Sequence, residues 1–167
     1  RLPPRTYSIP LEAERDALSG ELDPNTPYLL SLNGKWRYSW AGNPELRVKG
    51  FQQVDFDDSS WFEIDVPSCV EMFGFGSPGY ANLRYPHANL SHPTNTAFAT
   101  IRDRESGMAD YNPVSSYRRS FSVPNSWRDR KVILRFDGVY SAYYVWVNGV
   151  RVGYAEDSKL PSEFDIT

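Results

Sequence analysis

Two acidic residues stand side by side near the end of the sequence, where residues 153–167 read GYAEDSKLPSEFDIT. A pair of carboxylates can cleave a glycosidic bond when the two groups flank that bond at a set separation. Glu156 and Asp157 are adjacent, and adjacent side chains of an extended chain point in opposite directions, so they do not form such a pair. Asp157 alone could accept a hydrogen bond from a hydroxyl group or bind a hard cation such as Na⁺. The residues by themselves favour a turn or capping acid.

Other residue types that could do chemistry lack the partners that such chemistry needs. His87 and His92 flank the residues ANLS, a spacing that is not typical of zinc sites and that no cysteine or acid completes. We interpret both as solvated loop residues. Cys69 has no neighbouring base in the sequence, which argues against a thiol nucleophile.

A loop-like stretch around Asn82 is the second candidate binding segment. Asn82 offers both an amide N–H and a carbonyl oxygen, which suits the recognition of a hydroxyl group, and a turn residue is the alternative. Tyr80 and Tyr85 flank it and are expected to be exposed. Four tryptophans at alternating strand positions could stack on sugar rings, although tryptophans in strands more often pack in the core; they are Trp36, Trp40, Trp61 and Trp146.

The composition excludes several classes of protein and favours a β-rich domain. The 167 residues include 15% aromatic residues, 13 prolines and 11 glycines, which favours short strands and shaped turns. The net charge of -3 lacks the basic footprint of a nucleic-acid-binding protein. No apolar run reaches the roughly 20 residues of a membrane span, so no membrane partner is expected. A single cysteine excludes an internal disulfide framework.

Period-two alternation of apolar and polar residues predicts the elements that must position these candidates. It marks strands in SLNGKWRYSW and SSYRRSFSVP, and in DDSSWFEIDVPS, where Trp61 is an aromatic anchor and Ile64 and Val66 are spaced two apart. KVILRFDG is predicted to be a further strand, closed by an Asp-Gly turn. The strongest signal is Asn148-Gly149 between two β-rich runs, because this dipeptide tolerates the positive φ angles of a type I′ hairpin turn. The first part of the chain contains five prolines, and LEAERDALSG within it predicts a short helical segment that ends at Gly20.

These elements predict an all-β sandwich that carries one long loop. Residues 1–30 are predicted to form an extended N-terminal arm that lies on another surface, with a free linker as the alternative. Residues 31–167 are predicted to form the sandwich. Residues 74–113 show neither the period of two of a strand nor the 3.6-residue period of a helix. They are dense in Gly, Pro, Asn and Ser, which is typical of a functional or mobile loop. The residues alone lead to a β-sandwich that binds a sugar or another polypeptide.

Three segments resemble the N-terminal domain of the large β-galactosidases of glycoside hydrolase family 2. They are SLNGKWRYSW, PGYANLRYP and FDGVYSAYYVWVNGVRVGYAEDSKLPSEFD, and the resemblance runs from about Ser31 to Asp165 with a divergent loop between Tyr85 and Tyr117. The first segment and the hairpin motif are typical of the whole family. DSKLPSEFD and the loop around Asn82 resemble its β-galactosidase branch. Glucuronidase and mannosidase relatives typically carry a different segment after the hairpin.

The resemblance implies a galactose-binding-like jelly roll, the first domain of an enzyme that hydrolyses terminal β-D-galactosyl bonds with retention. Its catalytic glutamates and Mg²⁺ ligands lie on a separate (β/α)₈ barrel in the family, so no catalytic residue is expected in this chain. Asn82 matches an asparagine that contacts the galactosyl group. Asp157 matches an aspartate that contacts the sugar and binds Na⁺. The chain is then expected to be a piece of a larger enzyme, cut before the last strands of the sandwich.

The same resemblance sets the expected partners and leaves alternatives open. A β-galactoside substrate, the other domains of the enzyme and identical subunits in an oligomer are the partners that it implies, while the compartment stays open. A free-standing carbohydrate-binding module is one alternative, and a structural assembly domain is another. A third is the same domain of a glucuronidase or mannosidase.

Overall fold

A computed structural model describes residues 1–6, 8–18, 26–76 and 112–167 of the chain. Within them are one α-helix and seven β-strands: α1 (Glu14–Leu18), β1 (Gly34–Ala41), β2 (Phe62–Val66), β3 (Val114–Arg118), β4 (Ile133–Phe136), β5 (Ala142–Val147), β6 (Val150–Glu156) and β7 (Ser162–Asp165). Short 3₁₀ turns occur at Pro44–Leu46, Val70–Phe73 and Asn125–Trp127. No helix in this described part is long and apolar enough to cross a membrane.

The strands form three antiparallel sheets within two compact units. One sheet has the order β2-β1-β3, and the other two are the pairs β4-β7 and β5-β6. The first unit contains Arg1–Leu32, Gln52–Asp55 and Phe121–Thr167, and the second contains Asn33–Phe51 and Phe56–Ser120. The predicted all-β class is confirmed. The predicted division into an arm of residues 1–30 and a sandwich of residues 31–167 stays a prediction.

The second unit is built around β1, whose alternating pattern produces the expected two faces. Tyr38 is fully buried and Ile64 of β2 is 1% exposed, while Lys35 of β1 is exposed on the other face. Tyr38 lies opposite Tyr117 of β3, and their ring centroids are 5.0 Å apart. Burial of aromatic and β-branched side chains on one face thus stabilises this sheet.

The first unit has its core between the β5-β6 hairpin and β7. Val145, Ala155 and Phe164 are buried there, and Leu134 and Phe136 of β4 pack against them. The hairpin turn is the one predicted from its sequence, because Asn148 and Gly149 have φ angles of 50° and 80°. Inward-facing side chains from β4 to β7 therefore share one core.

One strand prediction needs correction, and one strand was missed. The strand predicted in SSYRRSFSVP ends at Arg118, and Phe121 lies outside it with 37% of its surface exposed. The Arg119 guanidinium donates to the carbonyl oxygens of Asn33 and Lys35, at 3.2 and 3.3 Å. A side chain, rather than the backbone of a longer β3, therefore satisfies these two acceptors. Strand β7 was not predicted from the sequence.

Candidate functional site

Asp157 lies on the turn that connects β6 to β7. Strand β6 ends at Glu156, and Asp157 follows with a φ angle of 92°, in the left-handed region that non-glycine residues seldom adopt. The chain returns as β7 from Ser162. The turn thus changes the chain direction directly at the acidic residue that the sequence singled out.

The Asp157 carboxylate is exposed and only weakly engaged by its own turn. Its Oδ1 accepts a hydrogen bond from the backbone N–H of Lys159 at 3.5 Å, which is the long limit for such a bond. No other hydrogen bond or ion pair of this carboxylate occurs among the described residues. The role as a turn acid is therefore present but weak, and most acceptor positions of the carboxylate are open to a ligand.

Glu156 uses its carboxylate differently from its neighbour. Its Oε2 accepts a hydrogen bond from the Tyr154 hydroxyl at 2.8 Å, on the exposed surface of β6. This bond raises the pKa of Tyr154, because it favours the protonated phenol beside a carboxylate. Glu156 and Asp157 therefore have different hydrogen-bond partners, the Tyr154 hydroxyl and the Lys159 amide.

A network of ion pairs on β7 holds the far side of the turn. Glu163 is buried, and its carboxylate accepts a hydrogen bond from Arg5 Nε at 2.6 Å and one from Arg135 Nη1 at 3.2 Å. Arg135 also donates to Asp137 at 2.7 Å. The backbone N–H of Leu2 donates to the carbonyl oxygen of Glu163 at 2.8 Å. The first residues of the chain therefore lie directly against β7.

The pKa of Glu163 reports the balance within this network. Burial raises the pKa of Glu163, but the hydrogen bonds and charges of Arg5 and Arg135 outweigh it, so the pKa lies below the ordinary value of 4.5. For Arg135, burial lowers the pKa and the bonds to Asp137 and Glu163 raise it, with a net rise. Glu163 is thus ionised at neutral pH and serves the structure rather than ligand binding.

The turn also makes a close approach to the connection between β4 and β5. A Cβ atom added at Gly138 would lie 3.3 Å from the carbonyl oxygen of Ser158. Glycine therefore allows the backbone after β4 to approach the residue that follows Asp157. The turn that carries Asp157 is thereby fixed by β6 on one side, by β7 on the other and by this backbone contact.

The remaining sequence candidates divide into two groups. Asn82, Tyr80, Tyr85, His87 and His92 lie outside the described residues. Cys69 is exposed and precedes the 3₁₀ turn Val70–Phe73. The described residues contain no cluster of three or more His, Cys, Asp or Glu side chains that could hold a metal ion.

The four tryptophans that were expected to pack in the core more often than to stack on sugar rings are neither fully buried nor fully exposed. Trp36, Trp40, Trp61 and Trp146 are all partly buried. Sequence reasoning missed an exposed aromatic pair on β5 and β6, where the ring centroids of Tyr144 and Tyr154 lie 4.9 Å apart. The period-two pattern of the hairpin could have indicated this outward face.

Comparison with known proteins places these features in context. Residues 29–167 match the family model described as glycosyl hydrolases family 2, sugar binding domain. The chain is 38% identical over 159 residues to the beta-galactosidase of Priestia megaterium, which covers 95% of this chain and 14% of that protein. The beta-galactosidase of Halalkalibacterium halodurans is 38% identical over 167 residues, or 100% of this chain and 15% of the relative. The chain therefore spans a small fraction of the length of the curated relatives it matches.

Solved structures show the same fold. A beta-glucuronidase of Bacteroides uniformis matches 83% of this chain and 12% of its own with a TM-score of 0.51 and 22% identity. A beta-glycosidase of Bacteroides vulgatus matches 82% of this chain and 15% of its own, with a TM-score of 0.50 and 21% identity. At these identities the likeness concerns the fold alone, and it confirms the predicted all-β sandwich.

Proposed function

The chain belongs to glycosyl hydrolases family 2, whose sugar-binding domain it matches over residues 29–167, and we propose that it is the N-terminal, non-catalytic domain of a β-galactosidase. The parent enzyme would hydrolyse terminal β-D-galactosyl bonds with retention. Support comes from beta-galactosidases that are 38% identical over 95% and 100% of the chain. In this proposal the domain presents substrate contacts to an active site whose catalytic carboxylates belong to another domain.

The chemistry of the described residues agrees with a binding role rather than bond cleavage. Retaining cleavage needs two carboxyl groups about 5–5.5 Å apart on either side of the scissile bond, one as acid and base and one as nucleophile. Glu156 accepts a hydrogen bond from Tyr154, while the one partner of the Asp157 carboxylate among the described residues is the Lys159 amide. The catalytic pair and its Mg²⁺ are therefore proposed to lie in the rest of the enzyme.

The observation that carries the proposal is the exposed, weakly bonded carboxylate of Asp157. In the proposal one of its oxygens accepts a hydrogen bond from a galactosyl hydroxyl, and the carboxylate also serves as a ligand of Na⁺. A sodium ion beside the sugar would supply a fixed positive charge that orients hydroxyl oxygens. Oxygen donors suit such a hard cation, and the other ligands would come from outside the described residues. Asn82 is proposed to contact the same galactosyl group through its side-chain amide.

Replacing the carboxylate of Asp157 in the parent enzyme tests this role. A hydrogen bond to a charged acceptor is worth about 1.5–3 kcal/mol, so Asp157→Asn should lower kcat/KM for a chromogenic galactoside by about 10- to 100-fold. The dependence of the rate on Na⁺ should weaken at the same time. Glu156→Gln is the matched control, because it removes a neighbouring charge without touching the proposed ligand, and it should leave both quantities within about twofold.

The isolated chain allows a second test that separates the alternatives. It should show no turnover of the galactoside, and calorimetric titration with galactose or lactose should give little heat, because most of the pocket would lie on other domains. Clear turnover would refute the placement of the catalytic groups elsewhere. Strong sugar binding would favour a free-standing carbohydrate-binding module. Unchanged activity and Na⁺ dependence in Asp157→Asn would favour a purely structural domain. Contacts with the other domains and with identical subunits stay predictions.

A further inference from the structure

A polar groove lies on the sheet formed by β2, β1 and β3, in the unit that does not contain Asp157. Its volume is about 340 Å³, at the lower end of the range for small-molecule sites. Four cationic side chains and two carboxylates line it, together with Trp36 and Ser120. The groove thus has an excess of positive charge in a chain whose net charge is -3.

Two of the four cations are fixed by contacts of their own. Arg118 donates to Asp58 at 2.7 Å and to the carbonyl oxygen of Phe51, and it stacks on the ring of Phe56 at 5.3 Å. Arg119 donates to two backbone carbonyl oxygens and lies 5.9 Å from the centre of the Trp36 ring. Both guanidinium groups are therefore held in position, and Asp58 offsets the charge of Arg118.

A third cation is neutralised by a neighbour on the adjacent strand. Lys35 forms an ion pair with Asp65 across β1 and β2, at 3.0 Å. This pair is exposed at both ends, so it contributes little to the free energy of folding. Arg37 is the remaining cation of the groove.

The fourth cation is Arg37, which is partly buried, and its guanidinium forms no ion pair or side-chain hydrogen bond with any described residue. Its cross-strand neighbours are Glu63 on β2 and Arg118 on β3. Glu63 does not come within ion-pair distance of it, although the two residues face each other across the strands. The Arg37 guanidinium thus has a cation opposite it on β3 and, on β2, a carboxylate beyond ion-pair distance, an arrangement that an anionic ligand would stabilise.

We propose that this groove binds an acidic saccharide, a sugar that carries a carboxylate group, and that Arg37 holds the carboxylate. The planar guanidinium presents two parallel N–H donors that match a carboxylate. Glu63 and Ser120 line the same groove and can bond sugar hydroxyl groups, the former as an acceptor and the latter as donor or acceptor. A ligand with one anionic group and several hydroxyl groups satisfies this mixed set, whereas a simple anion would leave Glu63 without a partner.

The residues of this groove are different from those of the proposed galactosyl contact, and the proposal does not depend on that contact. The two tests are therefore independent, because Asp157→Asn should not alter binding in the groove, and loss of Arg37 should not alter the role of Asp157. The alternating pattern of β1 indicated a basic face, because it places Lys35 and Arg37 on the face opposite the tryptophans. The pattern did not indicate that Lys35 would form an ion pair with Asp65 while the Arg37 guanidinium would form none with a described residue.

Titration of the full chain with galacturonate tests the proposal, with galactose and acetate as matched probes. Galacturonate should bind with a Kd of the order of millimolar at low salt, and both galactose and acetate should bind at least about tenfold more weakly. Arg37→Gln should weaken galacturonate binding about tenfold, as expected for one charge-assisted pair. Arg128→Gln, which removes an exposed arginine outside the groove, is the control and should change the Kd by less than about twofold.

Several results would overturn the proposal. Equal affinity for galacturonate and galactose would show that the groove does not recognise the carboxylate, and equal affinity for acetate would show that it does not recognise the sugar. A Kd unchanged in Arg37→Gln would exclude the role of Arg37. Should that variant fail to fold, Arg37→Lys supplies the test, because it keeps the charge but removes the two parallel N–H donors, and it should weaken galacturonate binding at least several-fold. An unchanged Kd in that variant would exclude the paired contact with Arg37.

Discussion

Replacing Glu163 by glutamine should destabilise the first unit more than the loss of an exposed ion pair would. Glu163→Gln keeps the size of the side chain and removes its charge. In the folded chain this carboxylate is 9% exposed and joins Arg5, whose side chain is 56% exposed, to Arg135, whose side chain is 18% exposed. The variant would keep the pair of Arg135 with Asp137 but remove the charge of its buried partner.

The magnitude follows from the exposure of the two arginines. The bond to Arg5 is screened by solvent and should contribute about 0.5 kcal/mol despite its short length. The bond to Arg135 is largely shielded and should contribute about 1.5–3 kcal/mol, part of which a glutamine oxygen can recover. We therefore expect a loss of about 2 kcal/mol in the free energy of unfolding. For a chain of this size that corresponds to a decrease in Tm of roughly 4–8 °C.

The contribution of Glu163 to the free energy of unfolding should decrease at acidic pH. Because the pKa of Glu163 is lower in the folded state than the ordinary value of 4.5, its contribution to stability is fully present above pH 4.5. It is lost as the pH falls through the lowered folded-state pKa. Urea unfolding of the parent chain and of Glu163→Gln at pH 7 and at stepwise lower pH should show the difference shrinking below pH 4.5.

The control for this comparison is Glu12→Gln, which removes an exposed carboxylate from the same unit. Its stability should stay within about 0.5 kcal/mol of the parent chain at every pH. A Glu163→Gln variant as stable as the parent chain at neutral pH would refute the reasoning. So would a difference that stays constant down to strongly acidic pH, since the charge of Glu163 could not then be its cause.

Two further substitutions probe the core beside the turn, again by urea unfolding. Gly153→Ala should lower the free energy of unfolding by about 1–3 kcal/mol, because the added Cβ would lie 2.7 and 2.9 Å from two ring carbons of Phe164. An unchanged free energy of unfolding would mean that the ring moves freely. Phe164→Ala should cost about 3–5 kcal/mol by leaving a void beside Val145 and Ala155, and the double variant should cost less than the sum, since the new methyl group enters that void. Val150→Ala, at a position that is 68% exposed, should be close to neutral, and a large loss there would question the burial argument.

The strands that were predictable from the sequence are those whose pattern is local. β1 alternates along its own length, and the β5-β6 hairpin is marked by Asn148-Gly149 at its turn. β7 was missed because SEFD has a single large apolar residue, Phe164. The burial of Glu163 in that strand depends on Arg5 and Arg135, which lie 158 and 28 residues away in the chain. Such long-range charge partners leave no periodicity in the sequence.

At the end of β3 the local pattern predicted too long a strand. The alternating pattern continues to Val123, yet the strand ends at Arg118. The interruption comes from Arg119, whose guanidinium bonds carbonyl oxygens at the beginning of β1. Nothing in the local sequence distinguishes that arginine from an ordinary exposed residue of a strand.

The backbone at Asp157 bears on why an acidic residue is placed at this turn. A φ angle of 92° is reached at low cost by glycine and costs other residues of order 1 kcal/mol or more. A turn acid could offset that cost through strong bonds to its own backbone, but the one such bond here, to the Lys159 N–H, is 3.5 Å long. Local structure alone would thus favour glycine at this position. A strained, exposed carboxylate with open acceptor positions is better explained by a ligand, which supports the proposed contact with the sugar and with Na⁺.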